Sequence, residues 1–270
     1  RKNYFYADLP KAYQTTQDDV PLCANGYLDI LVGDETRRIG ITRLHIEEDT
    51  AKLIHADEFG GTLIDFNRCG VPLIEIVSQP DISSAEEAIA YLERLRDLLR
   101  FAKVSDCRWE QGSMRCDVNL SVRPVGSDKL GVRSEMKNMN SIEAIKSAIE
   151  YETAWHIDIL ESGAGEVIGE TRRWDEPSRK TLPMRQKETA GDYRYAPDPN
   201  LGTLVLDEAW IKKIQSTLPE FPEVKRARYI DELGLGEYDA NLLVESRAFC
   251  DATEELLSYI DILVVEQFLP

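Results

Sequence analysis

The sequence has few basic residues and few cysteines. Its 32 Lys and Arg stand against 49 Asp and Glu, which gives a net charge of −17. Because general nucleic-acid binding needs clustered Lys and Arg to neutralise phosphates, this balance argues against a basic footprint and predicts no DNA partner. The five cysteines include no CxxC pair. They therefore predict neither a disulfide framework nor a zinc knuckle, and they suit a reducing compartment, the cytoplasm or an organellar matrix.

Long apolar runs and the common glycine-rich nucleotide motifs are also missing. No window approaches the roughly 18 apolar residues that a membrane-spanning helix requires, so no membrane partner is predicted. Neither GxxxxGK[ST] nor GxGxxG occurs, so a nucleotide site would have to be built in another way. The chain begins with Arg1 and shows no signal-like segment, and we expect it to be a piece of a longer protein.

The patterns that are present predict an α+β fold in two domains. Residues 1–77 are typical of strands and turns, with a hairpin around Gly33. The Pro-rich stretch LPEFPE at 218–223 precedes a sequence that is helical in pattern throughout. We therefore predict a sheet-rich domain over 1–217 and the beginning of a helical domain over 218–270.

Two helices are predicted within the first domain. Ser84 with Glu87 forms a capping box at the start of the first helix. Asn140 with Glu143 is predicted to cap the second, which ends before Gly163. Strands with strict alternation are predicted between these helices.

A carboxylate stands in the middle of one apolar strand. In VPLIEIV (71–77) every residue except Glu75 is hydrophobic or Pro, which is typical of a strand covered on both faces. Burying an unpaired ionised carboxylate costs on the order of 3–5 kcal/mol, so a compensating group is expected. A salt bridge to Arg68 or Arg43 is favoured on spacing alone, and a metal ion is the alternative.

A second carboxylate is predicted at the edge of the same core. If the apolar residues of ITRLHIEED point inward, Glu48 points with them, whereas His45 and Glu47 face the other way. Mg²⁺ is usually bound by one or two carboxylates together with phosphates. We therefore predict that Glu48 and Glu75 lie within roughly 6–8 Å of each other and share one Mg²⁺.

Short polar residues recur at alternate positions in RCDVNLSVRP. Asp117, Asn119 and Ser121 share one face of this predicted strand, and the next strand, VRSEMKNMN, presents Lys137. A solvated outer face is the simpler interpretation of one such strand. Fixed donors and acceptors with a Lys are also suited to holding phosphates, and we predict a nucleotide-binding face from these four residues.

Several long motifs carry a family resemblance. They are KNYFYADLPKAYQ (2–14), RIGITRLHIEED (38–49), IDFNRCGVPLIEIVSQPDI (64–82), RCDVNLSVRP (115–124), MKNMNS (136–141) and DYRYAPDPN (192–200). In this order they resemble the B subunit of the aspartyl/glutamyl-tRNA amidotransferases. The related archaeal E subunit carries a synthetase-like insertion, for which this chain has no room.

The resemblance implies an antiparallel-sheet cradle domain followed by a helical domain. It also implies the ATP-dependent conversion of Glu or Asp, misattached to tRNA-Gln or tRNA-Asn, into the amide. The implied cofactors are ATP and Mg²⁺. The implied partners are the amidase that forms the A subunit and supplies ammonia, the small C subunit of the heterotrimer, and the misacylated tRNA. By this resemblance we expect the chain to be a fragment without the N-terminal segment and the C-terminal tail domain of the family.

The resemblance also implies roles for individual residues. Glu48 and Glu75 match the carboxylate Mg²⁺ ligands of the family, whose Glu-x-His ligands lie upstream of this chain. Lys2 and Lys11 match positions of the polar channel that delivers ammonia. Two other functions remain open from the sequence: a non-catalytic scaffold that docks the amidase and tRNA, and a stand-alone amide ligase for small molecules.

Overall fold

The computed structural model describes residues 1–17, 19–56, 58, 60–163, 165–184 and 193–268. The predicted α+β fold is confirmed, with sheets that are mainly antiparallel and a C-terminal part made of helices. The strands are β1 Lys2–Asn3, β2 Tyr13–Gln14, β3 Cys23–Val32, β4 Glu35–Glu48, β5 Lys52–Ala56, β6 Gly61–Asp65, β7 Pro72–Ser78, β8 Val118–Leu120, β9 Ser134–Lys137, β10 Thr171–Asp175 and β11 Lys180–Pro183. The helices are α1 Ala85–Phe101, α2 Ile142–Ser162, α3 Glu208–Gln215, α4 Pro222–Asp231, α5 Glu237–Leu243 and α6 Arg247–Phe268.

The longest strands form a three-stranded antiparallel sheet in the order β3-β4-β7. β3 and β4 make the predicted hairpin, in which Gly33 has a φ of 60°, a conformation that glycine adopts without steric cost. Ile30 and Ile39 are buried in this sheet. β7 is an edge strand whose residues are half-buried or exposed. The prediction of a strand covered on both faces is therefore wrong.

A four-stranded sheet has the order β11-β10-β9-β8 and contains one parallel pair, β9 with β10. Helix α2 is the crossover between these two parallel strands, the connection that parallel pairing requires. The strand predicted in RCDVNLSVRP (115–124) is only Val118–Leu120 in the structure, because β9 offers pairing partners only from Ser134 to Met136. Within that short strand the predicted alternation holds.

The helix caps follow the sequence closely but not residue for residue. Ser84 Oγ accepts a hydrogen bond from the Glu87 backbone N–H at 3.2 Å, as predicted, while the Glu87 carboxylate accepts from the Ser83 N–H at 2.7 Å. The N-cap of α2 is Ser141 rather than Asn140, and its hydroxyl accepts from the Ala144 N–H at 3.0 Å. The predicted end at Gly163 is correct, with a φ of 63°.

The chain divides into two compact units. The first comprises Arg1–Tyr91 and Cys116–Leu204, and the second comprises Leu92–Arg115 and Val205–Pro270. The predicted joint at 218–223 therefore lies inside the second unit, and part of α1 with the segment after it belongs to that unit as well. The second unit has its own apolar core, formed by Phe101, Tyr229, Ala240, Val244 and Cys250. In the part of the chain that the structure describes, no helix has the length and apolar character needed to cross a membrane.

Candidate functional site

Three side chains that could bind a metal meet where β4 lies beside β7. The strand register pairs His45 with Glu75, and Glu47 shares the face of His45 because side chains alternate along a strand. His45 Nε2 lies 3.1 Å from Glu47 Oε1 and 3.9 Å from Glu75 Oε2. One ligand atom from each residue lies within 4.8 Å of the other two. The spacing is suitable for a single bound cation.

The two carboxylates of this cluster differ in how firmly they are held. Gln14 Nε2 and Thr16 Oγ1 donate to Glu47 at 3.2 and 3.0 Å, and the Glu47 side chain is 11% exposed. The Glu75 side chain is 49% exposed. The predicted burial of Glu75 is therefore wrong, because Glu75 lies on an edge strand with no fully buried residue. One carboxylate of the cluster is thus fixed, and the other is accessible to solvent.

The ring of His45 connects the cluster to its own strand. Arg43 Nε donates to His45 Nδ1 at 3.4 Å, so in this arrangement the ring hydrogen lies on Nε2 and is directed at Glu47. A histidine held in this way orients a carboxylate instead of binding the metal itself. The two glutamates are then the groups of this cluster that could bind a cation, and carboxylate oxygen is the type of ligand that Mg²⁺ prefers. Arg68, a sequence candidate for pairing with Glu75, pairs with Asp49 at 2.9 Å.

Glu48 lies on the other face of β4. Its register partner is Pro72, and its carboxylate accepts hydrogen bonds from Lys11 Nζ at 2.5 Å and from the Thr15 backbone N–H at 3.2 Å. Burial alone would raise the pKa of Glu48, but the bonds from Lys11 and Thr15 outweigh it and lower the pKa. The prediction that Glu48 and Glu75 share one site is wrong, because a two-residue period separates them onto opposite faces of the sheet.

The predicted nucleotide-binding residues lie on and beside β8 and β9. Lys137 Nζ contacts the Asp117 carboxylate and lies 3.1 Å from Glu135 Oε1. Asn119 is the register partner of Glu135 on the same face. Ser121 follows the end of β8 and is half-buried. The structure thus brings Asp117, Asn119 and Lys137 to one exposed sheet face, as the alternation predicts.

Two carboxylates keep the ammonium group of this face charged. Burial alone would lower the pKa of Lys137, but attraction and hydrogen bonds from Asp117 and Glu135 outweigh it and raise the pKa. Glu135 is itself held by Thr171, whose hydroxyl donates to Glu135 Oε2 at 2.9 Å. The Lys137 ammonium is thus held in one place on this sheet face, between the carboxylates of Asp117 and Glu135.

The two lysines predicted for an ammonia channel lie on or near the β1–β2 hairpin. Lys2 Nζ lies 4.6 Å from the ring centroid of Tyr193 and 5.7 Å from that of Tyr4. Lys11 Nζ lies 4.7 Å from the ring centroid of Tyr13 and bonds to Glu48. These lysines line a surface of tyrosine rings and one carboxylate. Their role in a channel remains a prediction.

Sequence reasoning assigned no role to two residues of these groups, His45 and Glu47. The i, i+2 spacing of His45 and Glu47 already places both on one face of a strand. What it does not tell is which of the two faces has a carboxylate opposite it on the next strand. That information lies in the register, which pairs His45 with Glu75.

Comparison with known proteins gives one consistent result. Residues 1–212 match the family described as the GatB/GatE catalytic domain. The B subunit of the aspartyl/glutamyl-tRNA(Asn/Gln) amidotransferase of Caldicellulosiruptor bescii is 55% identical over 259 residues, which are 96% of this chain and 54% of that protein. The protein of the same name from Brevibacillus brevis is 52% identical over 255 residues, 94% of this chain and 53% of that protein. The chain thus spans about half the length of the curated relatives it matches, and by the extent of both matches it belongs to the GatB/GatE catalytic domain family.

Proposed function

We propose that this chain carries the phosphorylation and amide-forming site of an aspartyl/glutamyl-tRNA amidotransferase. Its substrates are then Glu attached to tRNA-Gln, Asp attached to tRNA-Asn, or both. The observation that carries the proposal is that carboxylate oxygens of Glu47 on β4 and Glu75 on β7 lie within 4.8 Å of each other, in a family whose curated relatives bear that name. A kinase-like step requires groups that hold a metal ion and groups that bind phosphates, and the chain offers Glu47 with Glu75 for the first and Lys137 for the second.

The reaction is a transfer in two steps. A carboxylate is a poor acyl donor because oxide is a poor leaving group. In the first step a side-chain oxygen of the misattached Glu or Asp attacks the γ-phosphorus of ATP, and ADP leaves with its electron pair. In the second step ammonia attacks the carbonyl carbon of the acyl phosphate, the bond to the phosphate oxygen breaks, and ammonia loses a proton. The products are the amide, ADP and phosphate, and the protein contributes position and charge instead of a nucleophile.

Glu47 and Glu75 would hold Mg²⁺ in this scheme, with His45 orienting Glu47. The fit rests on their donor atoms: two carboxylates on one sheet face, one of them fixed by Gln14 and Thr16 and the other accessible. The chemistry that Mg²⁺ supplies when bound is neutralisation of charge on the transferring phosphoryl group. His45 keeps the Glu47 carboxylate in place through the contact at Nε2.

The face of β8 and β9 would bind the phosphates of ATP. Lys137 supplies a full positive charge, which Asp117 and Glu135 hold at a fixed place. Asn119 on the same face supplies a neutral donor, and Ser121 adds a hydroxyl beyond the end of β8. Preorganised donors of this kind stabilise charge that develops in a transition state without a reorganisation cost.

Lys2 and Lys11 with Glu48 would belong to the path by which ammonia arrives. The Glu48 carboxylate keeps the Lys11 ammonium in one position, and the tyrosine rings around Lys2 form an apolar wall. A partner amidase would release the ammonia from glutamine, and a small third protein would complete the heterotrimer. The misacylated tRNA is the remaining partner.

The experiment that tests the proposal is ATP hydrolysis by the assembled full-length enzyme, measured with and without each misacylated tRNA. A catalytic site predicts ADP formation that depends on the tRNA and is lost in Lys137→Ala. A scaffold that only docks tRNA and the amidase predicts tRNA binding with no dependent ADP formation. A stand-alone ligase for small molecules predicts ADP formation with free Glu or Asp in place of the tRNA.

A further inference from the structure

Helix α2 is bonded to the sheet that carries Lys137 through a group of polar side chains with almost no exposure. We call this group the buried polar cluster. Its members and their exposed fractions are Ser134 0%, Glu152 0%, His156 1%, Thr181 2% and Arg172 6%. None of the roles proposed above uses any of them.

The contacts of the buried polar cluster run from α2 to three strands. Ser134 Oγ on β9 lies 2.8 Å from His156 Nε2, and Thr181 Oγ1 on β11 donates to Glu152 Oε2 at 2.5 Å. Arg172 on β10 lies 3.3 Å from the same Glu152 oxygen and donates to Thr181 Oγ1 at 3.0 Å. The helix is thus attached by directional bonds to β9, β10 and β11.

Ser134 connects the imidazole ring of His156 to strand β9. Glu152 Oε1 is 3.3 Å from His156 Nε2 but lies outside hydrogen-bond geometry, and His156 Nδ1 is buried without a partner among the described residues. The hydroxyl of Ser134 is therefore the hydrogen-bond partner of the imidazole ring in the described part of the chain. It is also the point at which the cluster reaches β9.

Stability alone does not explain such a cluster. Burial of a charged pair costs as much as its attraction returns, and well-packed apolar residues of similar volume are often as stable. Burial alone would raise the pKa of Glu152, but its polar contacts with His156, Thr181 and Ser134, together with the charge of Arg172, outweigh it and lower the pKa, so the charge is retained in the core. What directional bonds add is a fixed register, because a one-residue slip would turn every side chain of a strand to the other face.

β9 needs such a constraint more than a long strand does. It has only four residues, Ser134–Lys137, and its inward and outward residues alternate. We propose that Ser134 and His156 are positioning residues, whose hydrogen bond fixes β9 so that Lys137 and Glu135 stand at the phosphate-binding face. This inference rests on the proposed role of Lys137. It assigns the pair no contact with substrate.

The test compares two variants of Ser134 that have the same shape. Ser134→Thr keeps the hydroxyl and Ser134→Val replaces it with a methyl group, so both carry the same added bulk. In the full-length amidotransferase we expect KM for ATP to be roughly tenfold higher in the Val than in the Thr variant, with kcat within about threefold. Ser147→Ala is the control, since it removes the bond from Arg179 to α2 at 2.6 Å without touching β9.

A second readout does not depend on ATP. Hydrogen exchange of the β9 amides should be roughly tenfold faster in the Val than in the Thr variant, and unchanged in Ser147→Ala. Equal KM and equal exchange in the Val and Thr variants would overturn the positioning role. If the added methyl prevents folding in both, Ser134→Ala against Ser147→Ala provides the same contrast. A wild-type enzyme without ATP dependence overturns the proposed function instead, and the exchange rates then decide the role of Ser134.

Discussion

His45 on β4 and Glu75 on β7 are direct register partners, and His45 Nε2 lies 3.9 Å from Glu75 Oε2. This relationship decides which carboxylates can act together. Glu47 follows His45 on the same face and joins the pair, whereas Glu48 turns to the other face and bonds to Lys11. Two adjacent glutamates of one strand thereby belong to two different chemical groups.

Replacement of Glu75 by Gln tests whether Glu75 is a metal ligand or a structural residue. Gln keeps the shape of the Glu75 side chain. Because this side chain is 49% exposed, the unfolding free energy should change by less than about 0.5 kcal/mol. Amide formation should fall roughly 100-fold, because a neutral amide holds Mg²⁺ weakly. The thermal midpoint and the yield of Gln-tRNA measure the two quantities. A large fall in midpoint with transfer retained at low temperature would make Glu75 structural.

Lys137→Ala removes the cation of the proposed phosphate-binding face. We expect ATP-dependent transfer to fall about 10–100-fold, because the charged donor to the phosphates is lost. The glutaminase activity of the partner amidase should remain measurable, since it needs no ATP phosphate at this face. Arg38→Ala is the control, because it removes a cation from an exposed pair with Asp29 at 2.7 Å. Unchanged transfer in Lys137→Ala removes Lys137 from the site.

The start of α2 offers a matched pair of neighbouring residues. Ser141→Ala should lower the unfolding free energy by about 1 kcal/mol, because the Ala144 N–H loses its side-chain acceptor. Asn140→Ala should change it by only a few tenths of a kcal/mol, because Asn140 precedes the cap. Urea unfolding of both variants measures the difference. A larger loss for Asn140→Ala would place the cap where the sequence pattern alone puts it.

Local patterns predicted the elements of the fold better than the faces of its strands. The turn at Gly33 and the end at Gly163 depend on a backbone conformation that glycine adopts freely, so the sequence alone is sufficient to predict them. The exposure of Glu75 depends on β7 being an edge strand. No property of VPLIEIV records that position, because it is set by which strands pair.

The candidate site could likewise be predicted only in part from the sequence. The shared face of Asp117, Asn119 and Lys137 follows from alternation within two short segments, and the structure confirms it. That Glu47, and not the predicted Glu48, lies beside Glu75 depends on the pairing of β4 with β7. The burial of Glu152 and His156 was not predicted, for another reason. A helical pattern read from apolar residues assigns no inward place to a carboxylate or an imidazole, although both are buried here.

The stability of the second unit should depend on pH through Glu254. Burial alone would raise the pKa of Glu254, but hydrogen bonds from Lys225, Tyr229 and Arg228 lower it from 4.5 to about 2. A depressed pKa stabilises the folded state above the unfolded pKa, and this stabilisation is lost as the pH falls from 4.5 toward about 2. Glu254→Gln should lower the thermal midpoint at pH 7, and the difference from wild type should shrink across that range. The neighbouring exposed Glu255→Gln should show no such convergence.

The adjacent residues Glu47 and Glu48 provide the sharpest test of the site as the structure builds it. Both changes to Gln remove one charge from the same strand, so they match in chemistry and in sequence position. Glu47→Gln should raise the Mg²⁺ concentration needed for half-maximal amide formation about tenfold or more, because the fixed ligand of the pair is lost. Glu48→Gln should leave that concentration within about twofold, because its carboxylate bonds to Lys11 on the other face. It should instead release Lys11 and weaken the use of glutamine-derived ammonia relative to free ammonia.

Mn²⁺ binding followed by electron paramagnetic resonance gives a measure that is independent of turnover. If Glu48→Gln loses the cation and Glu47→Gln keeps it, the metal lies on the Lys11 side of the sheet, and the carboxylates of Glu47 and Glu75 do not form the site.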